Sequence, residues 1–311
     1  MTLFAIIFAL VVEQIHALPV SRVVMRPAAA LCNRLERQFN DGRRLHGVVA
    51  WMLGVALPAF ALLVAHAWLG DFSPALAFLL ALGALYLTMG FRQFSHYFTE
   101  IQAALRADDL DGARRVLSEW QGRSAERATR SDIARLSIEE ALLASHRHVF
   151  APLFWFAVFG PAGAVVYRLA ERFDANWGRR GDPDFGDFGR FARDAFVIID
   201  WLPVRMTAAA FAIVGDFEDA IYCWRNQAGE WTDVASGILL ASGAGALGVR
   251  LGMPVAEPVP GDLPDADRPE LGLGDEADPD FMQSTIGLVW RTLVLVLLLL
   301  ALVWISGWMG G

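Results

Sequence analysis

The sequence predicts an all-α membrane protein: a polytopic helical bundle that contains one broken or re-entrant segment and a cytoplasmic helical insertion. The first observation is composition, because 55% of the 311 residues are hydrophobic and 19% are charged, an apolar balance above that of ordinary soluble domains. The second is that several apolar runs reach the length of about 20 residues that a helix needs to cross a bilayer. The third is that glycine and proline interrupt one of these runs.

The first segment, residues 1–91, is predicted to form N-terminal membrane helices that include a hairpin. The run 3–12 is short for a span and is interpreted as a partial membrane helix. The runs 47–69 and 74–91 are long enough to cross a bilayer, and residues 70–73 alone separate them. A connection that short predicts a turn between antiparallel helices.

The second segment, residues 92–148, is predicted to be the cytoplasmic helical insertion. Its apolar residues recur at helical spacing, and it carries nine arginines. Basic loops favour the cytoplasmic side of a membrane. The stretches 22–44 and 168–193 hold six arginines each and are assigned to the same side, which favours a re-entrant or broken segment at residues 149–166.

The remaining segments are a membrane core at residues 149–255, an acidic linker at 256–285 and a C-terminal transmembrane helix at 286–311. The run 149–166 is interrupted by Pro152 and by a Gly-Pro-Ala-Gly sequence, which is typical of a kinked span or of a re-entrant segment. The linker is proline-rich and acidic, so a flexible, solvated segment is expected there. Tryptophans at both ends of the last run indicate the membrane interfaces.

Ionisable residues within the apolar run 196–214 point to a site. Asp200 and Arg205 flank Pro203 there, and a charge near the centre of a membrane helix costs about 2.5 to 3.5 kcal/mol on insertion scales. Residues five apart lie about 140° apart on a straight helix, but a proline removes a backbone donor and clashes with the preceding turn. A break at Pro203 would let the two side chains converge on a functional pocket. The alternatives are a structural ion pair and two side chains that extend to opposite interfaces.

The residue types also exclude some chemistry. All 26 basic residues are arginine, so neither a Schiff-base lysine nor a Walker-type phosphate loop is possible. Cys32 and Cys223 have no companion at metal-binding spacing, and His146 and His148 are predicted to point to different faces of a helix. No metal site and no nucleic-acid partner are therefore expected.

A set of motifs extends along almost the whole chain. They are Arg34 to Arg37 leading to Gly47, residues 103–122, APLFW at 151–155, Gly160-Pro161, Tyr167-Arg168, Asp174, Phe188-Gly189, WLPVR at 201–205 and GALGVRLG at 245–252. Together they resemble the CbiB/CobD family of membrane proteins from cobalamin biosynthesis and its AmpE-type relatives. For the biosynthetic members, the resemblance implies attachment of an aminopropanol phosphate linker to a corrin propionate through an amide. Such a reaction needs carboxylate activation and groups that stabilise phosphate and oxyanion charge.

The chain departs from the polar motifs of the active members. It has LASHR at residues 143–147, where those members carry Glu-Asn-Thr-x-x-Asp before the APLFW motif. At residues 171–176 it keeps Asp174 alone from their Asn-Thr-Leu-Asp-Ser-Met run, and Asp200 stands where they have Asn. Their early Pro-His-Pro motif is reduced to LPV at residues 18–20. This pattern resembles the AmpE branch, which consists of inner-membrane proteins linked to control of β-lactamase induction.

The resemblance and the departures favour a catalytically diverged inner-membrane binding or regulatory protein that holds an anionic amphiphile in an Arg- and Asp-lined cavity. The expected ligand-binding residues are Tyr167, Arg168, Glu171, Asp174, Asp200 and Arg205. Arginine suits this role because its planar fork of donors matches phosphate and carboxylate. The expected location is the bacterial inner membrane, as a multi-pass protein.

The alternative is a working cobinamide-phosphate synthase, in which Glu171, Asp174 and Asp194 replace the lost acids. ATP and Mg²⁺ are expected under that alternative alone. The expected partners are membrane lipid and either a corrinoid or a ligand derived from the cell wall. A channel or transporter is disfavoured because the sequence has no evident internal repeat.

Overall fold

The computed structural model describes residues 2–15, 24–182, 185–254 and 268–309, and it confirms the all-α fold class. Within these ranges almost every residue is helical, and the strands are two short pairs of residues. Four helices are long and apolar enough to cross a membrane: Arg44–Phe72, Arg130–Gly178, Arg190–Val214 and Pro279–Ser306. Length and composition therefore support the predicted membrane bundle.

The helices of the described ranges follow in chain order. They are α1 (Thr2–Ile15), α2 (Arg26–Phe39), α3 (Arg44–Trp51), α4 (Leu57–Phe72), α5 (Pro74–Thr88), α6 (Phe91–Arg106), α7 (Leu110–Gln121), α8 (Arg130–Ser145), α9 (Ala151–Phe173), α10 (Arg190–Val214), α11 (Phe217–Gln227), α12 (Val234–Leu247) and α13 (Pro279–Met309). Wider π-helical turns occupy Met52–Ala56, His146–Phe150 and Asp174–Gly178, and a 3₁₀ turn occupies Ala228–Glu230. The strands β1 (Leu251–Gly252) and β2 (Glu270–Leu271) pair antiparallel.

The chain divides into two compact units, and each unit takes two separate stretches of sequence. The first unit comprises Met1–Gly90 and His148–Pro203, and the second comprises Phe91–Arg147 and Val204–Gly311. Helix α10 contributes residues to both units. The five segments that the sequence predicts as domains stay a prediction.

Aromatic residues form the core of the first unit. Trp177 is almost fully buried, and its ring centroid lies 4.5 Å from that of Phe173 and 4.9 Å from that of Phe188, both in edge-on geometry. Glycines let helix backbones approach this core closely. A Cβ at Gly54 would lie 2.2 Å from the Phe173 ring, and a Cβ at Gly47 would lie 1.9 Å from the carbonyl oxygen of Phe188. The helix that runs from Arg44 to Phe72 therefore packs directly on the aromatic core.

Three ends of candidate spans lie side by side in the first unit. The carbonyl of Gly42 accepts a hydrogen bond of 2.9 Å from the backbone N–H of Asp187, and Arg44 Nη2 donates to Asp194 Oδ2 at 2.8 Å. The start of Arg44–Phe72 is thereby joined to the start of α10. A Cβ at Gly178 would lie 2.9 Å from the Cβ of Arg193, which brings the end of Arg130–Gly178 to the same place. These three ends therefore lie beside one another within the first unit.

The interrupted segment is confirmed as a break inside α9. Gly160 has φ 65° and ψ −154°, which is not a helical conformation, and the helix resumes at Pro161. This backbone region is essentially restricted to glycine. The Gly-Pro sequence therefore divides α9 into two helical parts.

Two other expectations about helices are corrected. Helix α10 is continuous from Arg190 to Val214 and passes through Pro203, so the predicted break there is wrong. Membrane helices tolerate proline because neighbouring groups and local adjustments satisfy the freed backbone carbonyl. The last helix begins at Pro279 rather than at residue 286, and residues 268–271 close a strand pair within what is predicted as linker. The rest of that linker, residues 256–267, lies outside the described residues.

Candidate functional site

The candidate site of the first unit lies on α9 and on the π-helical turn that follows it. Tyr167, Glu171 and Asp174 follow one another at intervals of four and three residues, and Arg168 lies three residues before Glu171, so the four share one side of the helix. Helix α10 packs antiparallel to this side, with the ring of Phe196 5.8 Å from that of Tyr167. Five of the six expected ligand-binding residues are thereby placed in one unit.

The first element of the site is a buried pair between the two helices. The Tyr167 hydroxyl donates to Asp200 Oδ1 at 3.0 Å. Tyr167 is fully buried and Asp200 is 5% exposed. A carboxylate so placed in an apolar span needs a donor, and the tyrosine supplies one. Tyr167 is therefore an interior side chain.

The second element is a buried guanidinium with two acceptors. Arg168 is 3% exposed, and its Nη1 donates to Glu171 Oε2 at 3.1 Å and contacts His148 Nδ1 at 2.6 Å. Glu171 balances the charge of Arg168 within one turn of helix. Breaking such a buried pair from one side leaves an uncompensated charge and costs about 3 to 5 kcal/mol.

A methionine sulfur contacts Arg168 and the next arginine on α9, Arg172. Met25 Sδ accepts from Arg172 Nε at 2.8 Å and lies 4.0 Å from Arg168 Nη2. Met25 precedes α2, so this contact joins the start of α2 to α9. The sulfur is a weak, polarisable acceptor, so it adds no charge beside the two guanidinium groups.

The third element is Asp174, which sits at the end of the Arg130–Gly178 span. Asp174 is 6% exposed, and its Oδ2 lies 3.4 Å from Nε of the half-exposed Arg179. A Cβ at Gly178 would lie only 2.3 Å from the Oδ1 of Asp174. Glycine at 178 is thus required for the carboxylate to sit against the backbone, and any larger residue would displace it.

Arg205, the sixth expected ligand-binding residue, follows Pro203 on α10 and belongs to the second unit, where it is half-buried. Because α10 is continuous, the break that was expected to bring Arg205 and Asp200 together is absent from this described helix. Its role as a ligand-binding residue stays a prediction.

The two cysteines are interior groups with poor nucleophilicity. Burial raises the pKa of the Cys32 thiol to about 12, although the nearby Arg172 acts in the opposite direction. Burial likewise raises the pKa of the Cys223 thiol to about 11. Because the thiolate is the reactive form, neither side chain is suited to covalent catalysis near neutral pH.

An apolar cavity of about 550 Å³ lies elsewhere in the first unit, between α1 and α5. Its lining residues are Phe4, Pro74, Ala75, Phe78 and Leu79. None of these residues carries an ionisable side chain, so this cavity lacks the Arg and Asp lining that the sequence predicts for a ligand cavity.

Comparison with known proteins identifies the family of the chain. A model of the CobD/CbiB protein family matches residues 2–267. The chain belongs to the CobD/CbiB family. One relative, the cobalamin biosynthesis protein CobD of Stutzerimonas stutzeri (strain A1501), is 36% identical over 283 residues, which cover 90% of this chain and 89% of the relative. No solved structure matches.

More distant CobD/CbiB relatives carry the same name. The CobD protein of Chromobacterium violaceum is 35% identical over 67% of this chain and 65% of its own length. That of Brucella anthropi is 28% identical over 66% of this chain and 64% of its own length. These proteins are named for cobalamin biosynthesis rather than for regulation.

The CobD/CbiB comparison corrects the main functional prediction. The interpretation as a diverged, AmpE-like regulatory protein is wrong, because the chain matches a cobalamin biosynthesis protein over nine-tenths of its length. That interpretation gave most weight to a few polar motif positions. The structure nevertheless retains a buried set of ionisable residues on α9 and α10, so loss of those motif residues does not leave the region apolar.

Several functional candidates are missing from the sequence-based set. In the first unit these are His148 and Met25, which both contact Arg168. In the second unit, the buried Glu139 accepts from the backbone N–H of Gly252 at 2.8 Å and pairs with Arg268. The position of His148, three residues before the APLFW motif, is a signal that could have found it. Arg268 gives no such signal because it lies in a run of acids.

Proposed function

We propose that this CobD/CbiB protein works in cobalamin biosynthesis as a cobinamide-phosphate synthase, which joins an aminopropanol phosphate linker to a propionate of a corrin ring. The observation that carries the proposal is its 36% identity to a protein named cobalamin biosynthesis protein CobD over 90% of the chain. The proposed partner is accordingly a corrinoid. The proposed location is the bacterial inner membrane, with several helices crossing it.

The proposed reaction forms one amide bond and requires an activated carboxylate. A propionate oxygen takes a phosphoryl group from ATP, and the linker amine then attacks the acyl carbon. The amine loses a proton and inorganic phosphate leaves, so the overall products are the amide, ADP and phosphate. Every reactant carries negative charge, and donors that stabilise this charge are the main requirement of the site.

Arg168 is the residue that we assign to the anionic group of a substrate. It is buried and held by two acceptors, so its planar donors have a fixed direction. A fixed guanidinium suits phosphate or carboxylate because it can donate two parallel hydrogen bonds. We assign Tyr167 with Asp200, and Asp174, to the walls of the same region.

A metal held by the protein alone does not fit the donor set. Across the four described ranges, no group of three His, Cys, Asp or Glu side chains could hold a metal ion. The carboxylates of Glu171, Asp174 and Asp200 instead contact arginine or tyrosine. We therefore derive no step through a protein-bound Mg²⁺.

The experiment supplies membranes that contain this protein with ATP, aminopropanol phosphate and a corrin bearing a free propionate. We expect the amide product by mass spectrometry, at a rate that depends on ATP. The Stutzerimonas relative serves as the positive control. Absence of product from folded protein, under conditions in which the relative forms it, would contradict the proposal.

The variant Arg168→Gln tests the assigned residue. We expect kcat/KM to fall about 100-fold, as for loss of a buried charged donor, and Arg168→Lys to recover part of the loss because it restores charge without the fork. Arg115→Gln is the matched control, since Arg115 is exposed on α7. Equal activity of the Arg168 and Arg115 variants would remove Arg168 from the site.

A further inference from the structure

His148 stands at a point where the helix widens just before α9. It lies in the π-helical turn His146–Phe150, and the backbone carbonyl of His148 accepts from the N–H of Gly90 at 3.3 Å. Single π-turns occur often at functional sites because the extra residue redirects a side chain. Here the ring of His148 is directed to the guanidinium of Arg168, with Nδ1 2.6 Å from Nη1.

This contact defines where the histidine carries its proton. A guanidinium has donors and no acceptor, so Nδ1 of His148 must be the acceptor and must lack a proton. The neutral ring therefore holds its proton on Nε2. A second proton on Nδ1 would place two donors face to face and would add a positive charge beside Arg168. The hydrogen bond therefore requires a neutral histidine.

We infer that His148 is a positioning residue that, together with Glu171, holds the Arg168 guanidinium in the orientation that binds an anionic oxygen group, a phosphate or a carboxylate, of the substrate. This inference rests on the proposed function, because it deepens the role given there to Arg168. His148 itself is not assigned contact with the reacting atoms.

The pairing of Arg168 with one charged acceptor, Glu171, and one neutral acceptor, His148, has an electrostatic reason. Arg168 Nη1 carries two N–H groups, and the structure directs one to Glu171 and one to His148. A second carboxylate in place of His148 would give the group a net negative charge and repel an anionic substrate. A neutral acceptor fixes the guanidinium without this effect.

The charged groups that the described contacts link to His148 lie on α9. They are Arg168, and through it Glu171, with Arg172 on the far side of the Met25 sulfur. Gly90, where an added Cβ would lie 3.6 Å from the Cβ of His148, contributes no charge. Protonation of His148 is therefore expected to act on binding through Arg168.

The test compares two variants that differ in one acceptor. In His148→Asn, the side-chain oxygen occupies the place of Nδ1 and can still accept from Arg168, whereas His148→Leu offers no acceptor. We expect KM for aminopropanol phosphate or for the corrin to rise about 10-fold or more in the leucine variant, with kcat changed far less. The asparagine variant should stay near the wild type.

The pH profile separates positioning from a merely structural role. We expect kcat/KM of the wild type to fall at acid pH as His148 gains a proton, and this limb to be absent from His148→Asn. If the leucine and asparagine variants lose activity equally, or if the acid limb persists in the asparagine variant, the inference is overturned.

A binding measurement keeps the inference separate from the proposed reaction. Inorganic phosphate is titrated into detergent-purified wild type and both variants, and the thermal midpoint is recorded. We expect phosphate to stabilise the wild type and His148→Asn, and not His148→Leu. This result would support the inference even if no amide product were found. If phosphate stabilises none of the three proteins, or all three equally, the inference is overturned.

Discussion

At the scale of residues, the pair formed by Tyr167 and Asp200 explains how a carboxylate is held in an apolar helix. An Asp in a span is costly unless its oxygens are satisfied, and the tyrosine ring brings a hydroxyl to it while burying its own apolar surface. The pair also joins α9 to α10. It therefore contributes both to stability and to the position of the candidate site.

We expect Tyr167→Phe to destabilise the protein by about 1 to 3 kcal/mol, because the ring remains but Asp200 loses a buried donor. Unfolding of the detergent-purified protein, followed by temperature or denaturant, measures the change. Tyr222→Phe is the matched control, since Tyr222 is 53% exposed and its loss of a hydroxyl should have little effect. Equal stability of the two variants would show that the Tyr167 hydroxyl contributes nothing.

The two cysteines give a second prediction at this scale. Burial raises the pKa of Cys32 from 9.0 to about 12, so the folded state favours the protonated thiol. The resulting stabilisation is present below pH 9.0 and is lost as the pH rises from there towards 12. We expect a maleimide reagent to leave Cys32 and Cys223 unlabelled in the folded protein at pH 8 and to label both in detergent-unfolded chain. Rapid labelling of the folded protein would contradict their burial.

The sequence could predict that Asp200 needs a partner but could not name it. Helical geometry relates residues of the same helix, and on that basis Arg205 was the expected partner of Asp200. Tyr167 is 33 residues earlier in the chain, and that contact depends on how α9 and α10 pack. His148 was considered as a metal ligand for the same reason: its spacing to His146 is visible in the sequence, whereas Arg168 is not adjacent to it.

At the scale of elements, the break at Gly160 is the feature that the sequence predicted best. Glycine and proline together mark an interruption of a helix, and φ of 65° at Gly160 is the observed interruption. At Pro203 the same rule failed, because a single proline without glycine can be kept inside a helix when neighbours stabilise it. The glycine before Pro161 is the local difference between the two sites, and the helix breaks at that glycine.

We expect Gly160→Ala to destabilise the protein by about 1 to 3 kcal/mol, because a Cβ is strained in this backbone conformation whatever space surrounds it. Gly83→Ala is the control: Gly83 lies within α5, and a Cβ there would meet nothing within 4 Å. That change should be neutral or stabilise by about 0.5 to 1 kcal/mol. Thermal unfolding of both variants checks the pair, and a harmless Gly160→Ala would refute the strain.

At the scale of the whole molecule, the spans of the first unit determine a topology. The starts of Arg44–Phe72 and of α10 lie beside the end at Gly178, and we expect all three on one side of the membrane. Arginines are concentrated there, and basic segments favour the cytoplasm. The turn at Asp71, at the other end of the Arg44–Phe72 helix, belongs on the opposite side.

This topology predicts the labelling of single cysteines introduced after replacement of Cys32 and Cys223 by alanine. We expect Arg43→Cys and Arg179→Cys, both at exposed positions, to react with a membrane-impermeant maleimide in inverted vesicles and not in intact cells. Asp71→Cys should show the reverse. Labelling of Arg43→Cys and Arg179→Cys from opposite sides would exclude the arrangement.

Fold class and family could be predicted from the sequence because hydropathy and long motifs extend along the whole chain. The function could not be predicted correctly, because the departures at residues 143–147 and 171–176 were given more weight than the similarity of the scaffold. Identity of 36% over 90% of the chain is the stronger observation. The candidate site lies between these cases. Its residues on α9 are close in sequence, so they could be proposed together and stay a prediction, whereas the contact of His148 with Arg168 depends on a local π-turn.

The division of each unit into two stretches of sequence has a consequence for synthesis on the ribosome. The first unit needs residues 148–203, so it cannot close until the second half of the chain is being translated. Tyr167 leaves the ribosome before Asp200 does. If the helices insert in order of synthesis, the hydroxyl partner precedes the carboxylate, and we expect insertion of α10 to expose no bare charge to lipid.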